Sequence, residues 1–334
     1  MRLYISRIYK RTPQHQFIPE IMRNLSLLIT LVAFFALSSC DKSSESIFKI
    51  EGLTLENYPK VDGSTSTDPL NRLIASKLLG YNYRWEQAWH MNGTWYLSTD
   101  IPQDFLAERI KSSQTHQSII NLIDRKADLI LSARKMSKAE KAHADSLGVE
   151  LIETPVALDA FVFVTNLNNP VKSFTKQQVK DIYTGKITNW KEVGGADSPI
   201  KPYVRNQNSG SQELMEELVM QGTPIASFSV DYEPEIPSMA MVFSVTRSDV
   251  NALCYTVYYY KEQIVRDNIV KSIAIDGVAP NRKTIQSQKY PYVSKVYATI
   301  RSDLDQNSMA YKLYELLQTE SAKGIIAESG YVPF

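Results

Sequence analysis

The sequence predicts an α/β protein. Three observations carry that prediction. Short runs rich in β-branched and aromatic residues alternate with helical stretches, glycine or proline closes several of those stretches, and 43% hydrophobic against 22% charged residues is enough apolar material for a sizeable core. In chain order, a helix begins near Asp68-Pro69, where proline suits the first turn. Residues 128–132 read as a strand, and so do residues 150–155, followed at once by another over 160–165. Residues 176–183 form a helix stopped by Gly185, residues 211–220 a second with Gly222 and Pro224 beyond it, and residues 311–317 belong to a late helix. No internal repeat or low-complexity tract stands out.

Composition removes several function classes. The 334 residues hold 37 Lys and Arg against 36 Asp and Glu, a net charge of +1. Dominant disorder is excluded, and a nucleic-acid partner is not expected because no long basic block accompanies the balance. Two cysteines cannot build a disulfide framework, and His15, His90, His116 and His143 are too scattered for local metal-ligand spacing, so neither metal nor cofactor is expected. Cys254 lies in an apolar run and reads as buried and inert.

The N-terminus has its own organisation. Arg23 precedes an apolar run over 27–37 and then Leu37-Ser38-Ser39-Cys40. A basic flank, an apolar run of about 7–15 residues and small residues before a cut site mark a secretory signal. The run is shorter than the roughly 20 residues that a spanning helix needs. Leu-Ser-Ser-Cys resembles the lipobox of bacterial lipoproteins, which makes Cys40 the lipidated first residue of the mature chain. Residues 1–40 then hold the signal with its lipobox, with Met22 a better start than Met1, and polar residues 41–47 are a tether to the domain. Removing residues 1–39 of the 334 leaves 295, about two domains' worth.

Three segments could seat an anion. Arg205-Asn-Gln-Asn-Ser209-Gly210-Ser211 leads into a helix, whose first turn has free amide donors and the positive end of the dipole. Arg205 adds a planar fork that can grip two oxygens. The competing reading is a capped surface helix with a solvated arginine. Gly63-Ser64-Thr65-Ser66 precedes the helix near Asp68, but without the Gly-Lys-Ser/Thr ending of a Walker loop. Ser112-Ser113-Gln114-Thr115-His116-Gln117-Ser118 again sets polar residues before an apolar-periodic stretch, 119–123. Hydroxyl-rich helix starts with one arginine, and no nucleophile–base–acid motif, favour binding over catalysis.

The stretch from Phe174 to Gly195, Phe-Thr-Lys-Gln-Gln-Val-Lys-Asp-Ile-Tyr-Thr-Gly-Lys-Ile-Thr-Asn-Trp-Lys-Glu-Val-Gly-Gly, resembles the signature of phosphate-type substrate-binding proteins of ABC transporters. Arg205-x-x-x-Ser209-Gly210-Ser211 is similar to that family's Arg-x-x-x-Ser-Gly-Thr motif, with serine for threonine. Gly63 to Ser66, Thr115 to Ser118, Tyr290-Pro291 and the tail Gly330-Tyr-Val-Pro333 also look like family pieces, so the resemblance spans most of residues 58–334. It implies a type II periplasmic-binding-protein fold, two α/β lobes joined by crossovers near 154–164 and 290–298. Lobe I would be 48–156 plus 295–334, and lobe II 157–294. The resemblance further implies hinge closure on phosphate or a similar oxyanion, held by Thr65, Ser66, Thr115, Ser118, Arg205, Ser209, Gly210 and Ser211. Ser64, Ser132 and Arg134 are further candidates. The product would be a periplasmic or cell-surface monomer, lipid-anchored to a membrane, without enzymatic activity, that delivers its ligand to an ABC permease.

One position departs from the family. Where it carries an aspartate that accepts the proton of hydrogen phosphate, this sequence reads Ser132-Ala133-Arg134. Arg134 then either adds a cation to the cleft or points to solvent. Trp85, Trp89 and Trp95 fall within eleven residues. Trp85 and Trp89 could pack on one helix face, or the aromatic faces could stack on an organic ligand. In that second case the protein is a sensory or adhesion lipoprotein using the same fold.

Overall fold

The structure is a computed structural model and describes residues 48–89, 93–228 and 232–334. The signal, Cys40 and the 41–47 tether lie outside the described residues. Chain order begins β1 (Val61–Gly63), α1 (Asp68–Leu79), β2 (Tyr83–Ala88), β3 (Thr94–Thr99), α2 (Gln103–Arg109), α3 (Thr115–Ile123), β4 (Leu129–Ser132), α4 (Lys138–Ser146) and β5 (Leu151–Asn166). Then come β6 (Ser173–Phe174), α5 (Lys176–Tyr183), β7 (Lys201–Pro202), β8 (Val204–Arg205), α6 (Gly210–Leu214), β9 (Glu235–Ile236), α7 (Met239–Ser248) and β10 (Ala252–Val257). The last elements are β11 (Val270–Ser272), β12 (Ala274–Ile275), α8 (Arg282–Gln286), β13 (Val293–Arg301), α9 (Met309–Leu316), α10 (Glu320–Ser329) and β14 (Val332–Pro333).

One strand organises the molecule. The sequence suggests separate strands over 150–155 and 160–165, but β5 runs unbroken for 16 residues. Its first part pairs antiparallel with β13, from Leu151 opposite Arg301 to Ala160 opposite Val293. Its second part pairs with β10, from Phe161 opposite Val257 to Val164 opposite Cys254, and with β11. The sheet order β1-β4-β13-β5-β10-β7 therefore changes partners along β5. One α/β lobe is built on the β1-β4-β13 side and the other on the β10-β7 side.

Pro155 would ordinarily argue against a central strand, since it has no N–H for the ladder. Here the register slips between Val296 and Tyr297, whose partners are Ala157 and Pro155, so proline sits at a bulge. From Val156 to Asn166 every residue is buried, as expected of a strand covered on both faces.

Local signals set the helix ends. Thr175 and Gln178 form a reciprocal capping box at the start of α5, and Gly185 follows its end at φ 75°. The family-like stretch that begins with this helix is structural. Trp190 is buried and stacks on Phe174 with ring centres 6.1 Å apart. Phe161, Phe163, Tyr183 and Tyr255 knit the adjoining core. The C-terminal tail docks beside the chain's crossing point: Tyr331 stacks on Tyr259 at 3.7 Å and donates its hydroxyl to Ser66 O.

Trp85 and Trp89 do not share a helix face. β2 and β3 form a hairpin with Gln87 opposite Trp95, so Trp85 is on a strand and not on a helix. Trp85 and Trp95 flank the Arg266 guanidinium, 5.0 and 4.4 Å from their ring centres. Trp89 is exposed at the hairpin's tip.

Candidate functional site

The site grows from the ends of short strands. β1 runs parallel to β4 and leads straight into Ser64, whose amide donates to Leu131 O. Gly63 is required by close approach: a Cβ there would lie 2.5 Å from Thr67 Oγ1 and 2.6 Å from Leu131 O. Ser64 Oγ lies 2.8 Å from Thr115 Oγ1 and accepts the Ala133 amide at 2.9 Å. The starts of α1 and α3 and the end of β4 are thereby joined into one wall. Gln114, just before α3, has φ 70° and ψ 166°, a region nearly closed to residues other than glycine. Strain of this kind is held only where the surroundings over-determine it.

The opposite wall begins at Arg205 on β8. Its amide donates to Tyr255 Oη and Gln212 Oε1, and its Nε to Ile236 O at 2.8 Å. Tyr255 in turn donates to Gln212 Oε1. Ser209 caps α6 by accepting the Gln212 amide. The helix foreseen over 211–220 starts at Gly210 and changes after Leu214 into a π-helical stretch, Met215–Met220.

Between the walls lies a cavity of about 170 Å³. Thr65, Ser66 and Thr115 reach it from one side, and Arg205, Ser209, Gly210 and Ser211 from the other. Ser64 and Ala133 also line it, and Val257, Leu214 and Tyr260 give it apolar surface. Among the described residues no acidic side chain lines it. The walls touch: a Cβ on Gly210 would stand 2.5 Å from Thr115 Oγ1.

Arg205 is the cation of the cavity. It is 7% exposed, and among the described residues no acidic side chain pairs with it. Burial pushes its guanidinium below the ordinary arginine range, opposed only by Tyr255 and Tyr260.

Three candidates sit elsewhere. Ser118 is fully buried and its hydroxyl donates to Thr115 O, within the first turn of α3. Ser132 donates to Arg134 O, behind the cavity. Arg134 is neither a cleft cation nor a solvated one. Its guanidinium is buried against Glu140, with Nη1 to Oε2 at 2.7 Å and Nη2 to Oε1 at 2.8 Å. The partner is a carboxylate six residues on, which residues 132–134 do not announce.

Gln114, within the polar run 112–118, also lines the cavity, and so do Ser238 and Tyr260, which that run and the other two do not include. Ser238 was findable as the cap of α7, since it accepts the Met241 amide. Nothing local distinguishes Tyr260 from a core aromatic. Among the described residues no cluster of His, Cys, Asp and Glu could hold a metal, and no helix is long and apolar enough to cross a membrane. Cys254 is buried and its thiol is pushed up to about 12 by burial.

Comparison with known proteins agrees with this geometry. Residues 101–317 match the family described as a PBP superfamily domain. Phosphate-binding protein PstS of Bacillus subtilis is 27% identical over 55% of this chain, a match spanning 58% of that relative's length. PstS of Staphylococcus epidermidis is 26% identical over 84% of this chain and 80% of its own. A putative phosphate ABC transporter substrate-binding protein from Clostridium perfringens, solved with bound phosphate, has the same fold. Its TM-score is 0.59 at 24% identity, over 82% of this chain and 98% of that one. With two α/β lobes meeting over a donor-lined cavity, and two-thirds of its length matched by the family, this chain belongs to the PBP superfamily.

Proposed function

We propose that this protein captures phosphate or a related oxyanion outside the cytoplasm for an ABC importer. The observation that carries the reading is Arg205, a buried guanidinium with no acidic partner among the described residues, beside a cavity lined by hydroxyls. An unpaired buried charge costs several kcal/mol, so such a group is sustained where an anion completes it. The outer edge of the guanidinium can grip two oxygens of that anion. Thr65, Ser66 and Thr115 donate from one wall, Ser209, Ser211 and the free amides at the start of α6 from the other. The relatives' names supply phosphate as the anion.

The change of partners along β5 supports the division into lobe I, residues 48–156 plus 295–334, and lobe II, residues 157–294. Ligand bridging the two walls draws them together, and the closed form is what a membrane permease would recognise. The protein has no catalytic step to perform. It works as a monomer, tethered to the membrane surface through a lipid on Cys40.

Calorimetric titration with orthophosphate tests the reading. Wild-type protein should bind in the micromolar range or tighter, and Arg205→Ala should bind at least about tenfold more weakly, which corresponds to about 1.4 kcal/mol. An isotherm unchanged by the substitution, or no heat from any inorganic oxyanion, would refute it.

A further inference from the structure

A buried ionic cluster lies directly behind the Ser64 wall. Glu140 on α4 is 0% exposed, and all of its lone-pair directions are used. Oε1 accepts Arg134 Nη2 and lies 2.8 Å from His116 Nδ1, while Oε2 accepts Arg134 Nη1 and the Ser137 amide. Burial works to raise this carboxyl, but Arg134, Ser137 and His116 together hold it below the ordinary range.

The partners of Glu140 have informative positions in the chain. Arg134 follows Ala133, which lines the cavity and donates its amide to Ser64 Oγ. His116 follows Thr115, which lines the cavity and shares a hydrogen bond with the same Ser64 oxygen. One carboxylate therefore grips the residues next to both neighbours of Ser64. These segments come from different elements, the end of β4 and the start of α3, and Gln114, which immediately precedes α3, holds a strained backbone. A buried ion pair seldom stabilises a fold more than apolar residues of the same volume would, and its best-attested use is to select one arrangement.

We propose that Glu140 is a positioning residue for anion binding, setting the Ser64–Thr115–Ala133 wall through Arg134 and His116 before ligand arrives. The proposal rests on the oxyanion reading above. It goes beyond it by assigning affinity to a residue that touches no ligand.

Orthophosphate titration and thermal unfolding of the whole protein test it. Glu140→Gln keeps the shape and removes the charge, and should weaken binding at least about tenfold. In a double-mutant cycle its effect should be non-additive with Thr115→Ala, on the wall it sets, and additive with Arg205→Ala on the other. Should Glu140→Gln fail to fold, the paired swap Arg134→Met with Glu140→Met replaces the cluster by apolar packing. That variant should unfold at or above the wild-type temperature and still bind about tenfold more weakly. Wild-type affinity in either variant, or additivity with Thr115→Ala, overturns the proposal. Absence of binding of any inorganic oxyanion by the wild-type protein would instead overturn the oxyanion reading itself.

Discussion

Gly210→Ala puts closure of the cleft to the test. Gly210 opens α6 on one wall, and Thr115 opens α3 on the other. An added Cβ would stand 2.5 Å from Thr115 Oγ1 and 3.1 Å from Thr115 Cβ, where ordinary contact begins at 3.4 Å. The walls must then part by just under 1 Å. Overpacking of this size costs about 1–3 kcal/mol.

The location of that cost is the informative part. Gly210 is not among the positive-φ glycines, and alanine is the better helix former by about 1 kcal/mol, so the ligand-free protein should tolerate the change or gain from it. If the walls can separate, the penalty falls on the ligand-bound closed form alone. Affinity for orthophosphate should drop roughly 5- to 150-fold, the equivalent of about 1–3 kcal/mol. The assay is calorimetric titration paired with thermal unfolding of the ligand-free protein, whose midpoint should move by no more than about 2 °C. Unchanged affinity, or a matching loss of ligand-free stability, would refute the idea that these walls close on the ligand.

Two further outcomes follow from buried and missing carboxylates. Asp159, on β5 beside the change of partners, is buried, accepts the Ala160 and Tyr259 amides through Oδ1, and is pushed up to about 7 by burial. An unfolded aspartate titrates near 3.9, so the native state holds its proton longer and stability falls as pH rises from about 4 through 7, by about 4 kcal/mol at ~1.4 kcal/mol per pH unit. Urea unfolding across that window should show the fall in wild type and its loss in Asp159→Asn; identical pH slopes would mean that Asp159 titrates as an ordinary carboxylate. At the cavity, with Ala133 in place and no acidic lining residue among the described residues, there is no ionised acceptor among them for the proton of hydrogen phosphate. Sulfate should therefore compete with phosphate within about tenfold in a displacement titration, and a phosphate preference above a hundredfold would contradict this.

Features decided within a few residues were legible in the chain. The capping box at Thr175 and the stop at Gly185 delimit α5 because both are satisfied by neighbours three or four positions away. Ser209 likewise announces α6, the hydroxyl-rich segment at 63–66 does precede α1, and the one at 115–118 forms the first turn of α3. The Trp85–Trp95 segment misled because the spacing of Trp85 and Trp89 fits a helix face, while pairing with β3 and contact with Arg266 settle it as a strand. Arg134 was unreadable for a related reason: sequence offers a cation, and only the burial of Glu140 beside it decides whether that charge faces ligand, solvent or a partner.

By itself, the sequence determined an α/β chain, the starts of its helices, and a short inventory of donors that includes Arg205. Those properties depend on residue type and short-range hydrogen bonding, which act whatever the rest of the chain does. Tertiary structure decided which donors share a cavity, that Ser118, Ser132 and Arg134 do not face it, and that Gly210 meets Thr115. Those outcomes require β5 to pass between the two parts of the sheet and bring segments nearly a hundred residues apart into contact, and no local pattern encodes a distance of that kind.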